Sequence, residues 1–161
     1  MQKFWLYINK GKLLKKTKDT ISVAIFNKDK DFVKFMKSLD NKINIVTEQV
    51  CNIKSHKSSL TLSDNFPPIL KLNIDLESTI FDDDNNIIDF FDISNGSNIS
   101  LYIELEGVYV DNTSDNKRWR VLQMKKNSII DLTKSLFLNN NSKQNIDYVS
   151  SDTYNIQKPT V

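Results

Sequence analysis

The clearest pattern in the chain is an alternation of apolar and polar residues that follows the break at Phe66-Pro-Pro68. Between residues 70 and 76 every second side chain is apolar, and the side chains between them are polar. A period of two predicts a β-strand with one face in a protein core and the other in water. Related patterns predict further strands at residues 20–26, 43–53, 99–110 and 116–126.

One segment follows the helical period instead. Apolar residues at positions 32, 33, 35, 36 and 39 fall on one face of a helix. This spacing predicts a helix from Asp29 to Leu39, with Asp29 or Asp31 as its N-cap. We expect the helix to end at Asp40-Asn41, because asparagine tolerates the left-handed conformation that ends many helices.

Turn residues divide the second half of the chain. Residues 82–86 are all aspartate or asparagine and lie between short apolar runs at 79–81 and 87–88, which predicts a small hairpin. Residues 94–98 predict a turn before the long strand, and Gly107 marks a bulge within that strand. Residues 1–18 hold an aromatic patch and a lysine-rich stretch, and no element is predicted there.

Many short strands, one helix and one long, glycine-bent strand predict a mainly β fold. The leading architecture is a small Greek-key barrel of the OB type, partly open, with an α+β sandwich as the alternative. The barrel is assigned to residues 1–138. Residues 139–161 are rich in asparagine and serine, and we expect them to form a disordered tail.

Composition excludes several classes of protein. The longest apolar run, Phe4–Ile8, is too short to cross a bilayer, so no membrane partner is expected. The single cysteine excludes an internal disulfide. Charge is uneven: residues 1–62 carry a net charge of +8 and residues 63–106 carry −9. Such a distribution can present a basic face to phosphates while the whole chain stays near neutral.

Catalytic and metal-binding chemistry has little support. His56 is the only histidine and lies in a hydrophilic stretch, and together with Cys51 it offers too few ligands for zinc. The run Asp82-Asp83-Asp84 lacks the spacing of a calcium loop. Three glycines do not form a phosphate-binding loop. We therefore expect no enzyme activity, no metal and no cofactor.

The strongest candidate for chemistry is the triplet Arg118-Trp119-Arg120. It holds both arginines of a chain in which every other strong base is lysine, and one of its two tryptophans. Alternate residues of a strand share a face, so both arginines point one way, and Trp119 points the other way with Lys117 and Val121. The simplest assignment puts Trp119 in the core and the arginines outside. The reverse, with Trp119 as a stacking surface, is the alternative.

Cations and aromatic rings on the outer strands of a barrel are suited to binding single-stranded nucleic acid. Tyr102 and Lys71 lie on the polar faces of their strands, as a candidate stacking surface and a candidate phosphate contact. Trp5 and Tyr7, followed by the lysine-rich stretch, form a candidate arm. The predicted nucleic-acid-binding residues are Lys71, Tyr102, Tyr109, Lys117, Arg118, Trp119, Arg120 and Lys125.

An ordered series of segments resembles a known family. The segments are Phe66–Ile74, Thr79–Asp82, Gly96–Val110 and Arg118–Lys125. Together they resemble the single-stranded DNA-binding proteins of nucleocytoplasmic large DNA viruses, a family that includes a protein of African swine fever virus. Tyr109 stands where that family tends to have tryptophan, and residues 111–116 lack its Phe-Gly.

The resemblance implies an OB fold, sequence-independent binding of single-stranded DNA, and a role in viral DNA replication, recombination or repair. The expected location is then the host cytoplasm, at the viral factory, or the nucleus, with the virion as a further option. RNA, a second copy of the chain and replication proteins are further candidate partners. The rival hypothesis is a non-catalytic protein-interaction or virion structural module built on the same barrel.

Overall fold

The computed structural model describes residues 3–26 and 30–128, which form eight strands, one α-helix and one short 3₁₀-helix. The elements are β1 (Phe4–Lys16), β2 (Thr20–Ile25), α1 (Lys30–Cys51), β3 (Ser55–His56), β4 (Leu60–Ser63), β5 (Phe66–Asn73), β6 (Thr79–Phe81), the 3₁₀-helix (Phe90–Asp92), β7 (Asn98–Val110) and β8 (Ser114–Lys126).

The eight strands form one sheet: seven follow the order β3-β8-β7-β1-β2-β5-β4, and β6 pairs with β8 beside this path. One further pairing joins β5 to β8, which are not neighbours in this order. It is parallel and links Asn73 to Arg120. It closes β1, β2, β5, β8 and β7 into a barrel. This strand order is that of the OB fold, so the predicted barrel architecture is confirmed.

The long strand β1 pairs with β7 through its first half and with β2 through its second. The strand must therefore bend, and the register with β7 shifts between Ile8 and Gly11. A Cβ added at Gly11 would lie 2.8 Å from Cγ1 of Val23, closer than such atoms approach. Glycine at this position lets β1 lie against β2 at the bend. The sequence pattern had predicted no strand over these residues.

The helix corrects two sequence predictions. A helix ending near Asp40 and a strand at residues 43–53 were predicted, but α1 continues to Cys51. Asp40, assigned as the helix end, is instead a buried residue of the helix, and its carboxylate accepts hydrogen bonds from the backbone N (2.8 Å) and Oγ (2.6 Å) of Ser59. Such contacts override the weak preference of β-branched residues for strands.

The core lies inside the barrel and under α1. It contains the apolar residues predicted for the inner faces of the strands, together with Phe32 and Met36 of the helix. Leu76 is an exception, because β5 ends at Asn73 and leaves Leu76 fully exposed. The register shift before Gly107 and the bridge between Phe81 and Ile87 confirm the predicted bulge and hairpin.

The predicted tail, residues 139–161, lies outside the described residues. Among the residues that are described, no helix is long and apolar enough to cross a membrane.

Candidate nucleic-acid interface

Three aromatic side chains meet on the outer face of β1 and β7. Tyr7 and Tyr102 are directly opposite each other in the register, and their ring centroids lie 4.7 Å apart. The ring of Trp5 lies edge-on to that of Tyr102, at 5.9 Å. Inward neighbours such as Leu6 and Ile8 are buried in the core, which turns the alternate residues outward. We call Trp5, Tyr7 and Tyr102 the aromatic row.

Two adjoining cavities extend along this row. The smaller, of about 310 Å³, is lined by Trp5, Tyr102, Leu122 and Gln123. The larger, of about 760 Å³, shares Tyr102 and Gln123 with it and continues past Tyr7 to the end of β8. We call the two together the aromatic groove. It crosses β1, β7 and β8 rather than running along one strand.

Lysines surround the larger cavity. Lys10, Lys125 and Lys126 line it, against a single carboxylate among its described lining residues, that of Asp83. Nζ of Lys125 donates a hydrogen bond to Oδ1 of Asn85 at 2.6 Å, which holds its ammonium beside the groove. The groove therefore combines ring surfaces with a net positive wall.

Short polar side chains line the rest of the larger cavity. Nδ2 of Asn127 donates to Oγ of Ser100 at 2.8 Å, and that hydroxyl donates to the backbone oxygen of Asn9 at 3.1 Å. These bonds tie the ends of β7 and β8 to the bend of β1. Amide and hydroxyl groups of this kind can accept or donate hydrogen bonds to a polar ligand.

The turn at residues 82–84 lies beside the groove and brings three carboxylates close together. Asp82 accepts hydrogen bonds from the backbone N–H groups of Asp84 (2.9 Å) and Asn86 (2.8 Å). The hydrogen bonds from Asn86, foremost that of its side chain, lower the pKa of Asp82. The Asp82 carboxylate therefore stabilises the turn in which it lies.

Arg120 is held by carboxylates on three sides. Its guanidinium donates to Oε1 of Glu104, to Oδ2 of Asp75 at 3.2 Å and to Oε2 of Glu77 at 2.8 Å. The bond to Glu104 is the main cause that raises the pKa of Arg120. The Arg120 side chain lies on the outer face, as strand parity predicted. Its positive charge, however, is neutralised by Glu104, Asp75 and Glu77.

Arg118 lies apart from the groove, on the β7–β8 hairpin. Its guanidinium carbon is 4.9 Å from the ring centroid of Tyr109, and Nε is 3.5 Å from Oε2 of Glu106. The side chain is 46% exposed, and Tyr109 is also half exposed. The structure thus brings two predicted site residues together as one exposed pair, in a position separate from Tyr102.

Trp119 and Lys117 lie in the interior, as their strand parity requires. Trp119 is 1% exposed, donates from Nε1 to Oγ of Ser59 at 3.0 Å, and packs edge-on against Phe4. Nζ of Lys117 donates to Oδ1 of Asp115 at 2.9 Å, to the backbone oxygen of Lys57 at 3.0 Å and to the Asn44 amide. Both were predicted to contact nucleic acid, and that prediction is corrected because their polar groups are buried and bonded within the protein.

Asp115 is the centre of this buried polar cluster. Burial alone would raise its pKa, but hydrogen bonds from His56, Lys117 and Thr47 outweigh burial and lower the pKa to about 2. His56 bridges Asp115 through Nδ1 and Glu48 through Nε2. The hydrogen bond to Asp115 is the largest effect on His56 and raises its pKa. The cluster joins α1, β3 and β8.

Lys71 is exposed on the outer face of β5, as predicted. Lys71 lies opposite Ser22 of β2 in the register, and Ser22 in turn lies opposite Lys15 of β1. Of the predicted site residues, only Tyr102 and Lys125 line the aromatic groove. Lys71, Tyr109 and Arg118 are exposed elsewhere.

The groove also contains residues that the sequence prediction left out of its site. Trp5, Tyr7 and Lys10, the first residue of the lysine-rich stretch, were noticed only as part of a candidate arm, and Gln123 and Lys126 were missed. A usable signal existed, because residues 5–8 alternate between aromatic and aliphatic side chains. That period of two would have placed Trp5 and Tyr7 on one face of a strand.

The closed five-stranded barrel, with its groove on the outer face, defines the class of the protein as an OB-type β-barrel. Solved structures of the same fold include gp2.5, a single-stranded DNA-binding protein encoded by bacteriophage T7. The TM-score is 0.61 at 9% identity, over 78% of this chain and 87% of that chain.

A second similar structure is the single-stranded DNA-binding protein from bacteriophage Enc34, with a TM-score of 0.53 at 10% identity, over 76% of this chain and 79% of that one. The same Enc34 protein in complex with single-stranded DNA gives 0.54 at 9% identity, over 77% and 86%. No protein-family model matches the sequence, and no curated protein matches it significantly. At such low identity the likeness establishes the fold.

Proposed function

We propose that the protein is a non-enzymatic, sequence-independent single-stranded DNA-binding protein and that the strand lies in the aromatic groove. The observation that carries the proposal is the meeting of Trp5, Tyr7 and Tyr102 with three lysines in one open groove. Aromatic rings stack on any base, and lysines neutralise phosphates without reading sequence.

The charges around the groove suggest the path of the strand. Lys10, Lys125 and Lys126 line the larger cavity, whereas the residues described as lining the smaller one, Trp5, Tyr102, Leu122 and Gln123, carry no charge. Coulomb attraction therefore favours phosphates along the larger cavity, on its lysine side. The backbone then crosses β1, β7 and β8 on the lysine side, with bases directed toward the aromatic row.

The structures of similar fold support the proposal as analogy. Both phage proteins are described as single-stranded DNA-binding proteins, and one was solved with single-stranded DNA. Fold alone does not fix function, so the argument rests on the groove of this chain.

The biological setting is a further part of the proposal. Resemblance to the proteins of nucleocytoplasmic large DNA viruses suggests viral DNA replication, recombination or repair. A protein with that role would act in the viral factory of the host cytoplasm or in the nucleus.

Fluorescence anisotropy with labelled oligo-dT of about 20–30 nucleotides, enough for one or two barrel footprints, tests the proposal directly. We expect binding that weakens as salt rises, since phosphate contacts release counterions. Duplex DNA of the same length should bind more weakly, and an RNA oligomer of matched sequence tests RNA as a competing ligand. Absent or salt-insensitive binding at low ionic strength would overturn the proposal.

A further inference from the structure

A second groove, of about 460 Å³, lies at the end of the barrel where the β1–β2 turn meets the loops on either side of β6. We call it the end groove. Its lining includes Lys18 and Asp19 of the β1–β2 turn, Asp75 and Leu76 before β6, and Asp89 and Phe91 after it. None of them lines the aromatic groove.

The end groove has apolar side chains that the fold does not cover. Ile74 and Ile80 belong to the buried core and form its floor. On its rim Leu76 is fully exposed and Phe91 is 64% exposed, and Ile87, next to the lining residue Ile88, is exposed as well. Adjacent large apolar side chains left in water are typical of a surface that binds another molecule.

The wall that carries Phe91 is held in place by Lys16. Nζ of this lysine donates to the backbone oxygen of Phe91 at 2.6 Å, and it lies 5.4 Å and 5.8 Å from the ring centroids of Phe90 and Phe91. Asp89 caps the 3₁₀-helix by accepting from the backbone N of Phe91 at 2.9 Å. A wall fixed in this way presents the exposed rings in a preformed groove, which lowers the entropy lost on binding.

The polar rim of the end groove is acidic. Three aspartates line it, against Lys18 as the one cation among the described lining residues. Asp75 shares its charge with Arg120, and the charge of Asp19 also acts on the Arg118 guanidinium without a direct salt bridge, whereas Asp89 has no ion-pair partner among the described residues. A ligand with apolar groups and positive charge complements this surface, and a phosphate backbone does not.

We propose that the end groove docks a short segment of a partner protein in which apolar side chains alternate with lysine or arginine. The apolar side chains pack on Leu76 and Phe91, and the basic ones face Asp19 and Asp89. Since the two grooves have no lining residue in common, the protein can hold a nucleic-acid strand and this partner at the same time. The proposal does not depend on the function of the aromatic groove.

The test measures anisotropy of two labelled 12-residue peptides against the full-length protein. One peptide alternates leucine with lysine, and the other replaces each lysine with glutamate. We expect saturable binding of the lysine peptide and none of the glutamate peptide. Leu76→Ser and Phe91→Ser should each weaken binding at least tenfold, while Val50→Ser, at an exposed apolar residue of α1, should leave it unchanged.

Equal binding of the two peptides, or equal binding by Leu76→Ser, Phe91→Ser and wild type, would overturn the proposal. Sedimentation velocity provides the remaining control. If the wild type forms a dimer that Leu76→Ser dissociates, then the groove is an interface between copies of this chain and the proposal is wrong. Oligo-dT binding by the same variants separates this result from any failure of the aromatic groove.

Discussion

Tyr7 and Tyr102 lie directly opposite each other on β1 and β7, with ring centroids 4.7 Å apart and planes inclined by 33°. Each ring restricts the rotation of the other, so the surface offered to a base is ordered before any ligand arrives. Preordering of this kind lowers the entropy cost of binding. On this geometry we propose the aromatic row, rather than the Arg-Trp-Arg triplet, as the stacking surface.

Replacing Tyr102 with alanine should weaken binding of oligo-dT by about 5- to 150-fold, since one stacked base contributes about 1–3 kcal/mol. Titration by anisotropy measures the change. Tyr102→Phe keeps the ring and should bind nearly as well as wild type. Equal affinity of all three proteins would show that no base stacks on Tyr102.

The double change Lys125→Ala with Lys126→Ala should make the salt dependence of binding shallower. Each phosphate contact to a single strand contributes about 0.7 to the slope of log K against log salt, so we expect a decrease of about 1.4. Lys42→Ala, on the exposed side of α1, is the control and should leave the slope unchanged. The same measurement on Lys71→Ala and Arg118→Ala tests whether the strand extends to those predicted contacts.

Trp119→Ala should lower the free energy of unfolding by about 3–5 kcal/mol, the usual cost of truncating a buried aromatic residue. Urea unfolding followed by circular dichroism measures the loss. Trp5→Ala, at a half-buried position, should cost clearly less stability but weaken oligo-dT binding. If instead Trp119→Ala folds normally and loses binding, the two tryptophans have the opposite roles.

Arg120→Ala should destabilise the fold by about 3 kcal/mol, at the low end for breaking a buried ion pair, because Glu104 would remain buried without its partner. Changing Arg120 and Glu104 together, to methionine and leucine, should recover part of the loss. Thermal unfolding of the single and double variants checks both. Strand parity alone, which puts the arginines outside, would instead predict that Arg120 contributes to binding and not to folding. A single variant as stable as wild type would support that expectation.

The stabilising effect of His56 should depend on pH. Its pKa in the folded protein is raised above 6.5, because the hydrogen bond to Asp115 favours the protonated ring. The contribution is therefore complete below the unfolded pKa and is lost as pH rises through the folded pKa. Melting temperatures of wild type and His56→Gln should differ most at about pH 5.5 and converge at about pH 9. A difference that stays constant over this range would contradict the assignment.

Local patterns predicted β2, β5, β7 and β8 but not β1. Alternation over β5, β7 and the first half of β8 predicted most of the buried side chains, including Trp119 with Lys117 and Val121, whereas the register shift after Val121 turns Met124 inward. Parity is a property of an extended chain, so it needs no knowledge of the partner strands. The OB-type barrel followed from the number and order of such segments.

The length of α1 could not be predicted in the same way. Residues 43–53 include several β-branched side chains, and their local preference favours a strand. In the structure Thr47 donates to Oδ2 of Asp115 at 2.9 Å, and Asp40 binds Ser59. These contacts join residues far apart in the chain, and together with burial they outweigh a propensity of a few tenths of a kilocalorie per residue.

The candidate site likewise has features that local sequence patterns predict and features that only contacts between distant segments decide. The sequence identified rings and cations on outer strands, but it could not tell that Arg120 meets Glu104, Asp75 and Glu77, or that Arg118 meets Tyr109. Nor could it place Trp5 and Tyr7 beside Tyr102, because that requires the register of β1 against β7. Faces are set by local geometry, whereas neighbours across strands are set by pairing between distant segments. The composition of the groove was therefore decided by the tertiary structure.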